Sequence, residues 1–581
     1  MIRKLFAIIF FPGFLAAQPA IDSLLSTIEH RFDATAAYTH VKYFSQFWRV
    51  AGGRDFNLCI AHIESTLTKA NFSHLSSPLQ RAERFRSYYI QEKPLPHPAW
   101  EPKDASLRVV VPAETTLQRY TATAVMLCKN SFPIDTVAEL IDVGKGISDA
   151  DFDGKDARGK IVLGSSSVRP LFRIAVAKGA IGVVSSLVRP YNHPEIFPDI
   201  ISEEEIPYDE KDRSFGLKIS SRSASYLKTL LTLGPVKLHI SVSTSFAPGA
   251  LRTLVAEIPG TERPDERVIF IGHLDHYKPG ANDNASGSAT LTEMAATLAT
   301  LISKGAIAPP KRTMTFIWVD EYNGTYAWIA EHKNEVKNTV AVFNLDMTGE
   351  DCSRTGGQFW MERTPDPASI WLRPPDKHTE WGSAILDSSR MLPTWLNDFY
   401  FSILEREAAR TGWTVGQHPF EGGSDHEPFL QEKIPAVTSW HFTDYFYHSS
   451  MDDTDKVSPL EMKRVGTAAL AAGWMIATPG EREIQFAVSA LRNAATWRLL
   501  NEGKNSKSAM DSVGRGQHEY FLQRQKEKEV LDAWTKWYEE AFLSLKKFPT
   551  STNPRLDATI EEERMRLDSL RKKIGKEIGI D

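Results

Sequence analysis

The feature that most constrains the fold is a regular alternation of short apolar runs and helical patterns between Leu251 and Pro479. Four of the runs, rich in β-branched and aromatic residues, read VIFIG, TMTFIWV, TVAVFNL and IPAVTSW. Between the first two, apolar residues recur at spacings of three, four and seven, which places one apolar stripe along a helix. Strands that alternate with helices form a mainly parallel sheet with helices on its faces. We therefore predict an α/β fold, a mainly parallel mixed sheet flanked by helices.

A histidine, an acidic residue or both follow each of the four predicted strands. They are His273, Asp275 and Asp283 after the first strand, Asp320 and Glu321 after the second, Asp346 after the third, and His448 a short loop after the fourth. Binding sites in open α/β sheets form in the crevice outside the carboxyl ends of the strands. We therefore expect these side chains to meet in one crevice.

Carboxylates gathered in this way are stable only if positive charge compensates them. Imidazole and carboxylate ligands together suit zinc. Two divalent ions bring four positive charges, and Asp283, Glu321, Asp346 and a bound hydroxide bring four negative ones. A carboxylate shared by both ions allows a separation of roughly 3.5–4 Å. We expect Asp275 to accept the spare ring N–H of His273 and so to orient it. The sequence thus predicts a site for two zinc ions per chain.

Four sequence blocks, HLDHYKPGANDNASG, DEYNGT, NLDMTG and SDHEPFLQEKIPAV, are arranged around these residues. In order and spacing they resemble the metallopeptidases with two co-catalytic zinc ions, peptidase family 28, which includes secreted aminopeptidases and glutamate carboxypeptidases. The resemblance covers roughly residues 22–132 and 246–478 and implies the zinc exopeptidase fold, with a catalytic domain at residues 18–132 and 246–478. It implies that His273 and Asp346 hold one zinc, that Glu321 and His448 hold the other, and that Asp283 bridges them.

The resemblance also implies which residues meet a peptide substrate. The segment around Ser424, Asp425 and His426 is expected to line the substrate pocket. Tyr447 precedes the expected ligand His448 and is a candidate donor to the oxyanion, although a packed core tyrosine fits the sequence equally well.

The expected general base departs from the family pattern. The family has two consecutive glutamates, a base and a ligand, and this chain has Asp320 and Glu321. A base must come within about 2.6–3.2 Å of the group whose proton it takes, and aspartate is one methylene shorter than glutamate. We predict Asp320 as the base, with Glu350 and Glu421 as alternatives. If none of them serves, the chain is a metal-binding member of the fold that has lost catalysis.

The sequence favours an aminopeptidase, because a free substrate amine near Glu321 and the second metal would explain attack at the N-terminal bond. A carboxypeptidase or dipeptidase would need a basic cluster for the substrate carboxylate. Arg363, Arg390 and the segment RPPDKH are candidates for that cluster, so this alternative stays open. A single-zinc enzyme like glutaminyl cyclase is a further alternative, against which the pair His273 and Asp275 argues.

The remaining segments predict accessory regions. Residues 133–245, with GKDARGKIVLGSSS and AVAKGAIGVVSS, are similar to the protease-associated domain often inserted in this family; an unrelated α/β insertion is the alternative. Residues 479–581 predict a helical region, with Val530, Trp534, Trp537 and Ala541 on one helix face. Residues 1–17 have two basic residues, a short apolar run and small residues, as a secretory signal does, or they form a buried N-terminal element. We expect a secreted or periplasmic protein without stable membrane insertion.

Composition limits the other functional classes. The net charge is −5 and no basic block is present, so no nucleic-acid partner is expected. The chain has 3 cysteines, an odd number that allows one disulfide at most. The oligomeric state cannot be read from the sequence.

Overall fold

The computed structural model of the protein describes residues 12–76, 85–382, 385–513 and 518–581, with side chains from Ala20 onward. Two β-sheets and a set of long C-terminal helices make up this part of the chain. The strands are β1 (Ser73–His74), β2 (Ser87–Pro94), β3 (Ala99–Val111), β4 (Thr115–Arg119), β5 (Ile134–Asp142), β6 (Ile161–Gly164), β7 (Gly182–Ser185), β8 (Phe215–Lys218), β9 (Lys237–Ala247), β10 (Ala250–Ile258), β11 (Arg263–His273), β12 (Arg312–Val319), β13 (Thr339–Leu345), β14 (Gln358–Glu362), β15 (Gly416–His418) and β16 (Ala436–Phe442).

Helices precede, connect and follow these strands. They are α1 (Pro12–Arg31), α2 (Ala34–Phe44), α3 (Arg54–Lys69), α4 (Val168–Ala177), α5 (Ser221–Leu233), α6 (Gly287–Ser303), α7 (Asn323–Glu331), α8 (Lys333–Lys337), α9 (Cys352–Thr355), α10 (Leu396–Thr411), α11 (His426–Gln431), α12 (Pro459–Ala477), α13 (Glu481–Asp511), α14 (His518–Ser544) and α15 (Pro554–Ile578).

The main sheet has nine strands in the order β1-β2-β10-β12-β11-β13-β16-β14-β15. Its neighbouring strands β12, β11, β13 and β16 are parallel to one another, whereas β10 and β14 flank them in antiparallel orientation. These four parallel strands are the four apolar runs of the sequence. The predicted fold, a mainly parallel mixed sheet flanked by helices, is confirmed.

The parallel strands are buried on both faces, which explains why their sequences are continuously apolar rather than alternating. In β11, Val268 and Phe270 pack into a core formed with α6, α12 and the C-terminal helices. Ile269 and Ile271 face the opposite core, which contains residues of α7 and α11. Helices therefore cover both sides of the sheet and leave its carboxyl edge as the place where side chains can meet a ligand.

A second sheet of seven strands, in the order β4-β3-β9-β5-β6-β7-β8, lies between β2 and β10 in the chain. We call its residues, Ala99 to Ala247, the insert. The insert begins earlier than the boundary of 133 expected from the sequence, because β3 pairs with β9 from Ala99↔Ala247 to Val111↔Lys237. The long apolar and polar alternation of β3 gave no sign that its partner lies more than a hundred residues later.

The C-terminal helices α13, α14 and α15 share one continuous core with the main sheet. Val530, Trp534, Trp537 and Ala541 are buried in it, so the face predicted for α14 is the packed face. The C-terminal helical region is therefore part of the same folded body as the α/β domain.

Buried ion pairs fasten this helical region to a loop of the α/β domain. Asp376 bonds to Arg363 at 3.0 Å and to Arg498 of α13 at 2.5 Å. Arg373 pairs with Glu527 of α14 at 2.8 Å. The two arginines hold the pKa of Asp376 below its usual range, although burial alone would raise it. Breaking one partner of such a buried pair costs about 3–5 kcal/mol, so the network fixes the loop firmly on the helices.

The N-terminal prediction falls partly outside the described residues. Residues 1–11 of the predicted signal are not described, and α1 runs from Pro12 through the expected cleavage position to Arg31. Within the described ranges, none of the helices has both the length and the apolar character needed to span a bilayer. Cys59, Cys128 and Cys352 are all free thiols.

Candidate metal centre

The ends of the parallel strands bring the predicted ligands together. His273 is the last residue of β11, Asp320 follows β12 directly, and Asp346 follows β13 directly. His448 lies in the loop after β16, and Asp283 lies in the turn before α6. All five residues line one cavity of about 490 Å³. Because parallel neighbours end at the same edge, the sequence order of these residues becomes a spatial cluster.

Asp283 stands between two groups of nitrogen ligands. Its Oδ1 is 3.4 Å from His273 Nε2, which is also 3.3 Å from Asp346 Oδ1. Its Oδ2 is 2.9 Å from His448 Nε2 and 3.3 Å from His276 Nε2. The two oxygens of one carboxylate thus face two different sets of donors, as a bridging carboxylate would.

The first group has carboxylate oxygens that no protein donor satisfies. Asp283 Oδ1 and Asp346 Oδ1 are buried and have no hydrogen-bond partner. The other oxygen of Asp346 accepts a hydrogen bond from Ser424 Oγ at 2.7 Å. A buried polar atom without a partner costs roughly 1–3 kcal/mol, and more if it is charged. His273, Asp283 and Asp346 therefore fit a divalent cation that all three contact.

The second group contains two residues that sequence reasoning did not single out. Glu203 of the insert and His276 join His448 in a set of donor atoms close enough for one ion. His276 could have been recognised, because it lies three residues after His273 in the HLDH block. Glu203 could not, because it begins a run of three glutamates that resembles a solvated surface segment.

Glu321 lies in the same cavity but in neither of these two groups. Its backbone N–H donates to Asp275 Oδ1 at 2.7 Å. Burial raises the pKa of its carboxyl well above the usual value, although His273 opposes the shift. The structure groups His448 with Asp283 and His276 rather than with Glu321, so the role of Glu321 as a ligand stays a prediction.

Asp275 orients His273 mainly through its backbone. The Nδ1 of His273 is 3.0 Å from the carbonyl oxygen of Asp275 and 3.5 Å from its carboxylate Oδ1. The carboxylate instead accepts the N–H of Glu321. Asp275 therefore joins the loops that follow β11 and β12, in addition to the role predicted for it.

Asp320 is buried at the cavity wall, where its Oδ1 accepts a hydrogen bond from Asn323 Nδ2 at 3.0 Å. Burial and the charge of Asp275 raise the pKa of the Asp320 carboxyl well above its usual value. A raised pKa suits a group that takes a proton and returns it. The alternative bases lie outside the cavity lining: Glu350 accepts from Thr355, and Glu421 accepts from Thr379.

The predicted substrate residues Ser424, Asp425 and His426 lie behind the cavity wall instead of lining it. Ser424 holds Asp346, and Asp425 Oδ1 accepts the backbone N–H of Tyr322 at 3.0 Å. His426 Nε2 is 2.7 Å from Glu362 Oε1. All three are buried because their polar groups support the surrounding loops. Direct contact of these residues with substrate stays a prediction.

Tyr447 does line the cavity. Its ring is stacked on that of His448, with 3.8 Å between centroids, and meets Phe442 edge-on at 5.2 Å. The stack fixes the plane of the imidazole, which a metal ligand requires.

The basic residues proposed for a substrate carboxylate are engaged elsewhere. Arg363 is buried against Asp366 and Asp376. Arg390 is 3.9 Å from Glu427, and Arg373 of the RPPDKH segment pairs with Glu527. None of these arginines lines the described cavity, whose cationic residues are Arg49 and Lys129.

Neighbouring carboxylates raise the pKa of two imidazoles in this centre. Burial lowers the pKa of His276, but the charges of Glu203 and Asp283 outweigh it and raise the pKa to about 10. Burial also opposes protonation of His273, and Asp346 and Glu321 still raise its pKa above the usual value. The neighbouring carboxylates thus favour the protonated form of both imidazoles.

The fold and this centre define a class of protein: an α/β protein with a carboxylate and histidine metal centre at the carboxyl edge of its parallel strands. Residues 253–364 and 400–473 match the sequence model of Peptidase family M28. The part of the chain that carries the centre belongs to this family, and the resemblance noted in the sequence is confirmed at that level.

Individual relatives agree with this assignment. The chain is 28% identical over 232 residues to a probable glutamate carboxypeptidase of Arabidopsis thaliana, covering 38% of this chain and 30% of the relative. It is 25% identical over 305 residues to a probable zinc metalloprotease of Leptosphaeria maculans, covering 46% of this chain and 67% of the relative. The chain thus spans less than a third of the plant relative's length.

A solved structure shares the fold. The zinc aminopeptidase of Bacillus subtilis aligns with a TM-score of 0.52 at 18% identity, over 78% of this chain and 97% of that one.

Zinc binding is predicted to release protons, because imidazole must be neutral to bind a metal. With the pKa of His276 at about 10, its ring loses a proton on binding at pH 7, and the raised pKa of His273 favours further release. We expect release of at least one proton per chain, from His276, and zinc affinity that rises with pH up to about 10. Calorimetric titration in two buffers of different ionisation enthalpy measures this number.

His276→Gln should release about one proton fewer. His40→Gln is the matched control, because burial lowers the pKa of His40 to about 4 and the ring is neutral at pH 7. Identical binding enthalpies in the two buffers would contradict the prediction.

Proposed function

We propose that the protein is a zinc-dependent exopeptidase that holds two zinc ions and removes N-terminal residues from peptides. The observation that carries the proposal is the position of Asp283, whose two oxygens face two separate histidine-containing groups. Membership of a peptidase family and similarity to a probable zinc metalloprotease support zinc as the metal. In this proposal His273, Asp283 and Asp346 hold one ion, and Asp283, His448 and Glu321 hold the other.

The residues around the centre have separate roles in hydrolysis. Bound zinc supplies Lewis-acid polarisation of the scissile carbonyl and lowers the pKa of the attacking water. Asp320 takes the proton from that water and passes it to the leaving amine, for which its raised pKa is suited. Asp275 and Ser424 keep His273 and Asp346 in position.

The charge of the cavity favours a substrate with a free amine. Seven carboxylates line it: Glu203, Asp275, Asp283, Asp320, Glu321, Asp346 and Glu427. Arg49 and Lys129 bring two positive charges, and two zinc ions bring four. The lining is therefore acidic by one charge even before a bound hydroxide is counted, and an α-ammonium group of the substrate can balance this excess. Similarity to a zinc aminopeptidase structure agrees with this substrate class.

A carboxypeptidase is the second candidate, because one observation favours it. Lys129 lines the metal cavity and also a neighbouring groove of about 1220 Å³. Lys93, Lys333, Lys337 and Lys433 line the same groove. These ammonium groups could bind a substrate carboxylate, and the plant relative is described as a probable glutamate carboxypeptidase.

Two further assignments belong to the proposal. The insert is a protease-associated domain, supported by its sequence texture and by its position between β2 and β10. Residues 1–17 are a secretory signal, so the mature protein is secreted or periplasmic and begins at Gln18. Mass spectrometry of the exported protein reads this terminus, and retention of residues 1–17 contradicts the assignment.

Hydrolysis of aminoacyl-anilides tests the function directly. We expect turnover of a free aminoacyl-anilide, little turnover of its N-acetylated form, loss on chelation and recovery with added zinc. A peptide with a blocked amine and a free carboxylate tests the alternative function, that of a carboxypeptidase. Activity that survives removal of all metal refutes the metal-dependent mechanism. Two bound zinc ions without turnover of any peptide would identify a member of the fold that has lost catalysis.

Substitution of Asp320 tests the assignment of the base. Asp320→Asn removes the proton acceptor at nearly constant size, so we expect kcat to fall by about 10²–10⁴-fold. Asp320→Glu keeps the carboxylate and restores the length usual in the family, so we expect activity at or above that of the wild type. Zinc content should stay unchanged in both variants. Equal activity of the two variants contradicts the role of Asp320.

A further inference from the structure

Glu203 belongs to the insert, yet its carboxylate lies in the cavity of the α/β domain. Its Oε1 is 3.4 Å from His276 Nε2 and 3.6 Å from His448 Nδ1, and the side chain is 8% exposed. Its Oε2 is buried and has no hydrogen-bond partner. A carboxylate from a loop of the insert thus reaches the second group of donor atoms and leaves one oxygen unsatisfied there.

Backbone pairing holds this carboxylate beside the loop of His448. The N–H of Glu203 donates to the carbonyl oxygen of His448 at 3.1 Å, and the N–H of Ser450 donates to the carbonyl oxygen of Ile201 at 2.8 Å. Asn192 Nδ2 donates to the carbonyl oxygens of Tyr445 and Tyr447, both at 2.9 Å. The insert therefore sets the position of Glu203 and that of the predicted ligand loop together.

Apolar contacts strengthen the same junction. Val188 and Ile200 of the insert pack with Phe446 in a small buried cluster. The contact is thus a packed junction between the insert and the ligand loop, and the approach of Glu203 does not depend on one side chain alone.

The next two glutamates in the chain, unlike Glu203, form ion pairs with basic side chains. Glu204 pairs with the buried Lys218, and Glu205 is 3.5 Å from Lys129 and also pairs with Arg169. Within the described ranges, no lysine or arginine forms an ion pair with Glu203. A buried carboxylate without a cation is unfavourable, and the histidines are its nearest partners. The arrangement is therefore that of a carboxylate which lacks its cation.

The spacing of the donor atoms fits one metal ion. Zinc binds nitrogen and oxygen ligands at about 2.0–2.2 Å with tetrahedral geometry, which separates neighbouring ligand atoms by about 3.4 Å. Glu203 Oε1 to His276 Nε2 measures 3.4 Å, and His276 Nε2 to Asp283 Oδ2 measures 3.3 Å.

We propose that Glu203 is a ligand of the second zinc ion, together with His276, His448 and Asp283, in the position that the proposed function gives to Glu321. The inference rests on the proposed function in that it takes the centre to hold two zinc ions. It deepens that function, because the insert then supplies part of the metal site. Full occupancy of the second position requires the insert to be docked on the α/β domain.

Zinc stoichiometry at buffered free zinc tests the proposal without an activity assay. Equilibrium dialysis followed by elemental analysis should give two zinc ions per chain for the wild type. Glu203→Gln keeps the shape but removes the anionic ligand, so we expect one tight ion and a second bound at least about 10–100-fold more weakly. Glu210→Gln is the matched control, because Glu210 is exposed on the insert, accepts a hydrogen bond from Tyr208 and does not line the cavity, and it should retain two tight ions.

The outcomes separate the two proposals. A wild type that binds no zinc overturns the proposed function and this inference with it. A wild type with two ions and a Glu203→Gln variant with two equally tight ions overturns only the role of Glu203. Glu203→Asp, which keeps the charge on a shorter side chain, serves if the glutamine variant does not fold. It should bind the second ion with intermediate affinity, and wild-type affinity there also overturns the proposal.

Discussion

The structure depends on one electrostatic constraint: carboxylates are gathered, buried, at the carboxyl ends of four parallel strands. Asp283 and Asp346 each keep one oxygen without a hydrogen-bond donor, so cations must complete the centre. The surrounding backbone is shaped to hold them there. Tyr322, Met347 and His448, at three of these strand ends, have φ of 56°, 50° and 52°, a region that non-glycine residues enter only where the surrounding structure imposes it. Strain and buried charge thus concentrate at the same edge of the sheet.

Regions outside the α/β domain contribute to this edge from two sides. The insert places Glu203 beside His448 through backbone pairing. On the other side, α13 and α14 hold the loop of residues 363–376 through buried ion pairs. The same loop continues to Trp381, which lines the cavity. The insert and the C-terminal helices therefore support the walls of one site, which gives the helical region a positional role.

The sequence predicts the parts of the centre that follow from local pattern. The four apolar runs became neighbouring parallel strands, and this parallel order brings His273, Asp283 and Asp346 together. Glu203 could not be predicted, because its approach depends on the docking of a second sheet. Ser424 is a polar residue in a segment expected to contact substrate, yet its hydroxyl donates a hydrogen bond to Asp346. The start of the insert at Ala99 was missed because β3 finds its partner β9 only in tertiary structure.

The central claim is that two cations neutralise the acidic charge gathered at these strand ends. Anomalous X-ray diffraction at the zinc edge from zinc-loaded crystals measures it most directly. The account predicts two peaks in this cavity, separated by roughly 3.5–4 Å, with the Asp283 carboxylate between them. A single peak, peaks elsewhere on the molecule, or a cavity without a peak at saturating zinc would contradict it.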